Sequence, residues 1–391
     1  MKSKSMSKYP IDAARLAETF QALVSIDSVS RHEGRICRAI LSMMPPIIEK
    51  TFIDGAGEPT GSDTGNLILK IKGNRDVSPM MLNAHMDTVE PGIGVKPRYA
   101  DGVFTSSGDT VLGADDKSAI AIIIEALRVI HEKNLPHGPI DVVFTICEEI
   151  GLLGAKNLDF GLIDATFGYA LDTYDTKGIV TRAPAANRFE IRVHGRSAHA
   201  GADPEKGISA VWVASKAVAG LRLGRIDEET TCNIGEMEAG GATNIVPHLV
   251  RLRGEARSHD QDRLAAVTRR IIDAFEDTAA EYRRIHHEDD IPRIEVDLEQ
   301  DFPLNRIPEN HPVVTMAIKA AANLGRDLTP KKTGGGSDAN IFFSKGIMTG
   351  VLGTGMKDVH TVRESIRLDD MVEAAALLLE IIAVHANGSS R

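Results

Sequence analysis

The chain is short of cysteine, of basic charge and of long apolar runs, and each shortage removes a class of function. Its three cysteines, Cys37, Cys147 and Cys232, are odd in number, far apart and without a CxxC spacing. That is no disulfide framework and fits a reducing compartment, with the cytoplasm as the expected location. The formal net charge of −10 argues against a nucleic-acid partner, because such binders carry a basic excess or stripe. The start, MKSKSMSKYP, has charge but no apolar h-region, and Ile11 to Val24 is amphipathic. Neither a signal peptide nor a membrane span is expected. No internal repeat and no GxxxxGK[ST] phosphate loop occurs.

What is present is a soluble globular composition, 42% hydrophobic and 26% charged, over 391 residues. That length exceeds one ordinary core and favours two domains. Helix-period segments run over Ile11–Ile26, Ser118–Ile130 and Met371–Ala386. Apolar runs suited to strands lie at Leu67–Ile71, Met80–Leu82, Ile140–Cys147, Gly168–Leu171 and Met348–Leu352. Their alternation implies an α/β fold. Between them the pattern changes. NRFEIRVHG, TCNIGEMEAG, LVRLRGEARS and RIEVDL alternate as strands, with helices expected over Ile208–Leu223 and Gln261–Tyr282. This β-α-β-β-α-β order is the ferredoxin-like split motif. Residues 186–300 therefore read as a smaller α+β domain inserted into a catalytic domain formed by 1–185 and 301–391.

Acidic and histidine residues cluster where the apolar runs end. His85 and Asp87 stand in MMLNAHMDTV, Asp115 and Asp116 in VLGADDKSAI, Glu148 and Glu149 in FTICEEIG, Asp172 in GYALDTYD, and His360 in GTGMKDVHTVRE. Alone, each is better read as a helix cap, a turn or a satisfied polar group. Together they form a set of hard and borderline ligands with no cysteine pair, suited to zinc, with cobalt or manganese as substitutes. The His-x-Asp spacing lets Asp87 accept the second N–H of His85. The set is too rich for one four-coordinate ion and suits two ions sharing a carboxylate.

The segments NAHMDTVEPG, GADDKSAIA, CEEIGLLGA, ALDTYD, GRSAHAG, TGGGSDANIF and VHTVRES, in this order, resemble the zinc-dependent M20 metallopeptidases, most closely the peptidase T-like branch. The resemblance spans nearly the whole chain. It implies a zinc-peptidase catalytic domain with a mixed sheet flanked by helices, and an inserted ferredoxin-like lid and dimerisation domain. It implies two Zn2+ per subunit. His85, Asp115, Glu149, Asp172 and His360 match the metal ligands, with Asp115 bridging and the Asp115–Asp116 peptide bond cis. Asp87 matches the hydrogen-bond partner of His85, and Glu148 the general base. His199 in GRSAHAGADP matches a histidine that reaches across a dimer interface to the oxyanion. Asn244 and Arg257 match substrate contacts, and Gly334–Gly336 with Ser337 read as a pocket loop, so Gly335 and Ser337 join the substrate set. Read without the family, His199 is a loop histidine and Arg257 a charge on an exposed sheet face.

The resemblance implies a di-zinc aminopeptidase acting on short peptides and working as a homodimer, and the composition implies no nucleic-acid or membrane partner. The pocket motifs leave open a carboxypeptidase, a dipeptidase or an N-acyl-amino-acid deacylase on the same fold. A non-catalytic peptide- or metal-binding protein predicts a degraded base or ligand, yet Glu148 and every ligand position are intact. A phosphohydrolase lacks clamp arginines beside these motifs. Cys147 reads as a small buried hydrophobe, since neighbouring carboxylates push its thiol pKa the wrong way for a nucleophile.

Overall fold

The computed structural model describes residues 8–388. The segment MKSKSMS, expected to lack an apolar leader, lies outside the described residues. The chain forms two compact units. The first comprises the chain up to Arg182, Asn305–Thr333 and the chain from Ser337 onward; the second comprises Ala183–Leu304 with Gly334–Gly336.

The first unit is built on a nine-stranded mixed sheet among the described residues. Four neighbouring strands at its centre, Ile140–Thr145, Met80–His85, Phe167–Thr173 and Met348–Gly353, run parallel. Leu67–Ile71 and Gly178–Ala183 pair antiparallel with the two outer members of this group, and Ile48–Ile53 and Asn305–Arg306 lie beyond them at the two edges. Thr329–Lys332 pairs parallel with Gly178–Ala183. Parallel strands must be covered on both faces, and their sequences are accordingly near-continuous apolar runs. Leu82, Ala84, Val142, Phe144, Tyr169, Leu171 and Leu352 point into the main core. The alternate residues Ala170, Val180 and Val351 pack with Ala339 of the helix Asp338–Ser344.

The helix Ala114–Lys133 crosses that main core. Its run IAIIIEALRVI is apolar nearly all round, as burial between layers requires. It packs on the strands Met80–His85 and Phe167–Thr173, and against the helices Ala13–Val24 and Leu368–Ala386. The helix is longer than the expected Ser118–Ile130 because its first turn contains Asp115 and Asp116, whose backbone is not helical.

The second unit has the strand order Thr230–Ala239, Leu249–Ser258, Ala185–His194, Arg293–Phe302, all antiparallel, with the two-residue strand Gly224–Arg225 at one edge. That is the ferredoxin-like arrangement. Phe189, Ile191, Val193, Val250 and Leu252 face the helices Ala210–Ala219 and Gln261–His286. The opposite face carries ion pairs of Glu190 and Arg192 with Arg253, Glu295 and Asp297.

Gly168 decides how closely two site-bearing strands approach. It pairs with Met81 across the parallel ladder, and a Cβ at this position would lie 2.3 Å from the Met81 carbonyl oxygen. Gly168→Ala is therefore expected to lower stability by about 1–3 kcal/mol, the usual cost of overpacking. An unchanged midpoint in denaturant unfolding would contradict this close approach.

Candidate metal centre

The strands and turns that carry candidate ligands end at the same edge of the parallel core, and the helix bearing Asp115 begins there. His85 is the last residue of its strand, Asp172 the penultimate residue of the next, and Glu148 and Glu149 follow Thr145 by a short turn. His360 stands in the loop after Met348–Gly353. Open α/β sheets place their sites beyond the carboxyl ends of the strands, where neighbouring connections diverge.

Asp115 lies at the middle of the group. Its Oδ1 is 3.1 Å from His85 Nε2 and its Oδ2 is 3.2 Å from His360 Nε2. His360 Nε2 is also 3.0 Å from Glu149 Oε2. Donor atoms of His85, Asp115 and Glu149 all lie within 4.8 Å of one another, and so do those of His85, Asp116 and Asp172. The Asp115–Asp116 bond is cis. Asp116 was not expected among the ligand-forming atoms. One of its oxygens accepts the main-chain N–H of His85 at 3.2 Å, and the other is buried without a partner.

The surroundings make this a site of concentrated negative charge. Burial raises the pKa of Glu148 well above the ordinary carboxylate range, and repulsion from Asp172, Glu149 and Asp338 adds to it against the opposing effect of His85. Burial likewise raises Glu149, Asp172 and Asp116. Asp338, in hydrogen-bond contact with Thr145, is pushed up to about 6, mainly by burial. Asp115 moves the other way: burial opposes its charge, but hydrogen bonds with His360 and His85 outweigh it. Those contacts with Asp115 and Glu149 lift His360 to about 10. A cation is the ordinary remedy for carboxylates packed in this way. The donors fit a divalent metal, since Glu149 Oε1 and Asp116 Oδ1 are buried and unpartnered. His85, Asp115, Asp172, Glu149 and His360, with Asp116 beside them, are the residues that could hold it.

The turn bearing Glu148 and Glu149 is held by two more buried carboxylates. Asp87 accepts the N–H of Glu148 at 2.9 Å and of Glu149 at 3.2 Å, and the Ser30 hydroxyl at 2.6 Å. Glu33 accepts the N–H of Cys147 at 3.0 Å. Cys147 has φ +51, so the chain turns out of the strand at this residue. The expected bond from His85 Nδ1 to the Asp87 side chain is long, 3.4 Å; the nearer acceptor is the Asp87 main-chain carbonyl at 2.9 Å. Asp87 orients the two glutamates more directly than the histidine. Glu33 and Glu364 escaped sequence reasoning, and Asp116 was named only beside Asp115. Glu33 acts on a residue 114 positions away, and no local pattern marks it.

The remaining expected residues divide between the units. Ser337 belongs to the first, is 8% exposed and caps the helix Asp338–Ser344, while its own N–H is taken by Asn340 Oδ1 at 3.1 Å. His199, Asn244, Arg257 and Gly335 belong to the second. His199 and Asn244 are neighbours, since Ala200 donates to the Asn244 carbonyl and His199 bridges to Ile245. His199 Nδ1 accepts the N–H groups of Gly201 and Ala202 at 3.1 and 3.0 Å, which leaves Nε2 as the donor of the neutral, exposed ring. Arg257 is not an uncommitted cation: it pairs with Glu255 at 2.9 Å, donates to the Gly334 carbonyl at 3.2 Å and lies over the Phe302 ring.

Cys147 is fully buried, and burial together with Glu33 and Asp87 pushes its thiol pKa up. Cys37 and Cys232 are also buried and free. Iodoacetamide at pH 8 is expected to label none of the three in the native protein and all of them in guanidinium. Rapid native labelling at Cys147 would mean that the glutamate turn opens.

Comparison with known proteins gives a consistent result. Residues 81–384 match the profile of Peptidase family M20/M25/M40. The Uncharacterized protein YqjE of Bacillus subtilis (strain 168) is 40% identical over 373 residues, covering 95% of this chain and 98% of that protein. Aminopeptidase PepT from Bacillus cereus ATCC 10987 superposes with a TM-score of 0.87 at 39% identity, covering 96% of this chain and 100% of that one. A tripeptidase from Staphylococcus aureus subsp. aureus Mu50 gives 0.90 at 38% identity, covering 97% and 100%.

Proposed function

Because the chain belongs to Peptidase family M20/M25/M40 and is peptidase T-like, we propose that it is a di-zinc aminopeptidase that hydrolyses the peptide bonds of short peptides. That it is a peptide hydrolase follows from the family; the metal, the base and the end specificity are the proposal. The observation that carries it is the gathering of Asp115, Asp116, Glu148, Glu149 and Asp172 around His85 and His360, with buried carboxylate oxygens left unpartnered.

In this reading two ions would be held by His85, Asp115, Asp172, Glu149 and His360, with Asp115 as the carboxylate they would share. Two such cations supply Lewis-acid polarisation of the scissile carbonyl and acidify the attacking water, from about 15.7 toward about 7. Glu148 accepts the water's proton on its carboxylate and passes it to the leaving amine. Its buried position supports that role, since burial raises its pKa toward the range where a base can also act as an acid. Asp87 holds Glu148 and Glu149 by their main-chain N–H groups, so base and ligand keep separate directions.

His199 Nε2–H supplies a donor for the oxyanion, and in a homodimer it serves the partner's site. Asn244, Arg257, Gly335 and Ser337 form the substrate set, Arg257 sharing its charge with Glu255. The second unit is read as the lid and dimerisation domain. The proposed compartment is the cytoplasm, supported by free, buried cysteines. No helix among the described residues is long and apolar enough to cross a membrane.

Glu148→Ala is expected to cut turnover by roughly 10²–10⁴-fold with metal content unchanged, whereas Glu149→Ala should lose metal. Elemental analysis beside single-turnover kinetics separates the two, and the reverse pattern would exchange their roles. For end specificity, a free tripeptide is compared with its N-acetylated form. Cleavage of the free peptide at its first bond, located by mass spectrometry, is the expected result. Preference for the acetylated peptide would favour a deacylase or carboxypeptidase.

A further inference from the structure

We propose that Glu364 is a positioning residue that fixes the bridging Asp115 and sets the His360 loop against it. This rests on the reading of Asp115 and His360 as metal ligands. Glu364 is 2% exposed, and its carboxylate accepts main-chain N–H groups from Gly113 at 2.7 Å and Asp115 at 2.9 Å. These donors open the helix Ala114–Lys133, where intrahelical partners are lacking. The N-cap position is Gly113, which has no side chain to satisfy them. Asp115 itself is out of helical geometry, at φ −81 and ψ 103. Its N–H is therefore secured by a carboxylate 249 residues away.

Glu364 also stands on the segment that carries His360. Lys357 and Ser365 exchange main-chain hydrogen bonds at 2.8 and 3.0 Å, closing the base of this loop, and the Glu364 N–H bonds to the Thr361 carbonyl at 3.0 Å. His360 has φ +61 and a half-exposed side chain whose Nε2 faces Asp115 Oδ2 and Glu149 Oε2. One loop thus holds Asp115 twice, by its main chain through Glu364 and by its carboxylate through His360. A bridging carboxylate must keep its two oxygens aimed apart. Here Oδ1 faces His85 and Oδ2 faces His360, and the two grips define that orientation.

Glu364→Gln keeps the shape but turns an amide NH₂ toward one of the two main-chain donors. Zinc affinity, measured by competition with a chromophoric chelator, is expected to fall by about 10–100-fold, the usual cost of losing a partner of a metal ligand. Tyr9→Phe is the comparator, since it loses a buried hydrogen bond to Glu380 outside the cluster. It should lower the unfolding midpoint while leaving zinc affinity at the wild-type value. Wild-type affinity in Glu364→Gln, or an equal loss in both variants, overturns the positioning role. His360→Ala is the reference. If it binds zinc like wild type, the metal reading fails and this proposal with it; if it loses an ion while Glu364→Gln does not, only this proposal fails. Should Glu364→Gln not fold, hydrogen exchange of the metal-free wild type decides. The Gly113 and Asp115 amides should exchange as slowly as those of Ile120–Ile124 in the same helix, and exchange at loop rates overturns the proposal.

Discussion

Carboxylates crowded at one end of four parallel strands are the constraint on which the rest of this fold depends. Each buried carboxylate resists charge, and each raises the cost of its neighbours. The molecule meets this in two ways. Carboxylates pointing into the cluster keep oxygens without protein partners, which leaves them free for a cation. Those behind the cluster spend their oxygens on main-chain N–H groups: Asp87 on Glu148 and Glu149, Glu33 on Cys147, Glu364 on Gly113 and Asp115. Charge-assisted bonds of this kind are stronger than neutral ones and fix the turn rather than the side chain it bears.

This division explains why the candidate ligands sit on or beside turns with unusual backbones. Cys147 and His360 both have positive φ, and Asp115 interrupts its helix. Such conformations persist where the surroundings over-determine them. Here a buried carboxylate accepts the N–H of Cys147 and of Asp115, and the His360 loop is closed by main-chain bonds between Lys357 and Ser365. The apolar core supplies the rigid base, since the strands ending in His85 and Asp172 are covered on both faces and one of them contacts the other through Gly168.

Much of this was legible in the sequence, and the limits have physical reasons. The central strands were readable because doubly covered parallel strands are apolar throughout. The helix Gly34–Met43 was missed because its buried stripe is short, Ile36, Cys37 and Ile40, with Arg35 and Arg38 on the exposed face. The antiparallel pair Pro97–Ala100 and Val103–Ser106 was missed because only Phe104 among them is buried. The strand expected to run to Cys147 ends at Thr145, since the turn held by Glu33 intervenes. His85, Asp115, Glu149, Asp172 and His360 were visible as polar residues at the ends of apolar runs, and the structure gathers them. The residues that hold their backbones were not visible. A carboxylate that bonds a main-chain N–H leaves no mark on the identity of its partner, so neither member of the pair looks unusual in sequence.

The inserted unit follows the same economy of design. The chain leaves the first unit along Gly178–Ala183 and re-enters it at Asn305–Arg306, and these two strands are neighbours in the sheet. Its two ends therefore lie side by side, so an insertion of any size can occupy the gap without disturbing the ladder. The departure point is also on the flanking, antiparallel side, beyond the four parallel strands at whose ends the candidate ligands gather. His199, Asn244 and Arg257 belong to the inserted unit, whereas every candidate metal ligand belongs to the first. Residues of the second group are constrained by mutual repulsion and by buried main-chain anchors. Those of the first stand on exposed loops and strand faces, as with His199 on its turn and Arg257 beside Glu255. Substitutions in the inserted unit therefore leave the charge balance of the carboxylate cluster in the first unit untouched.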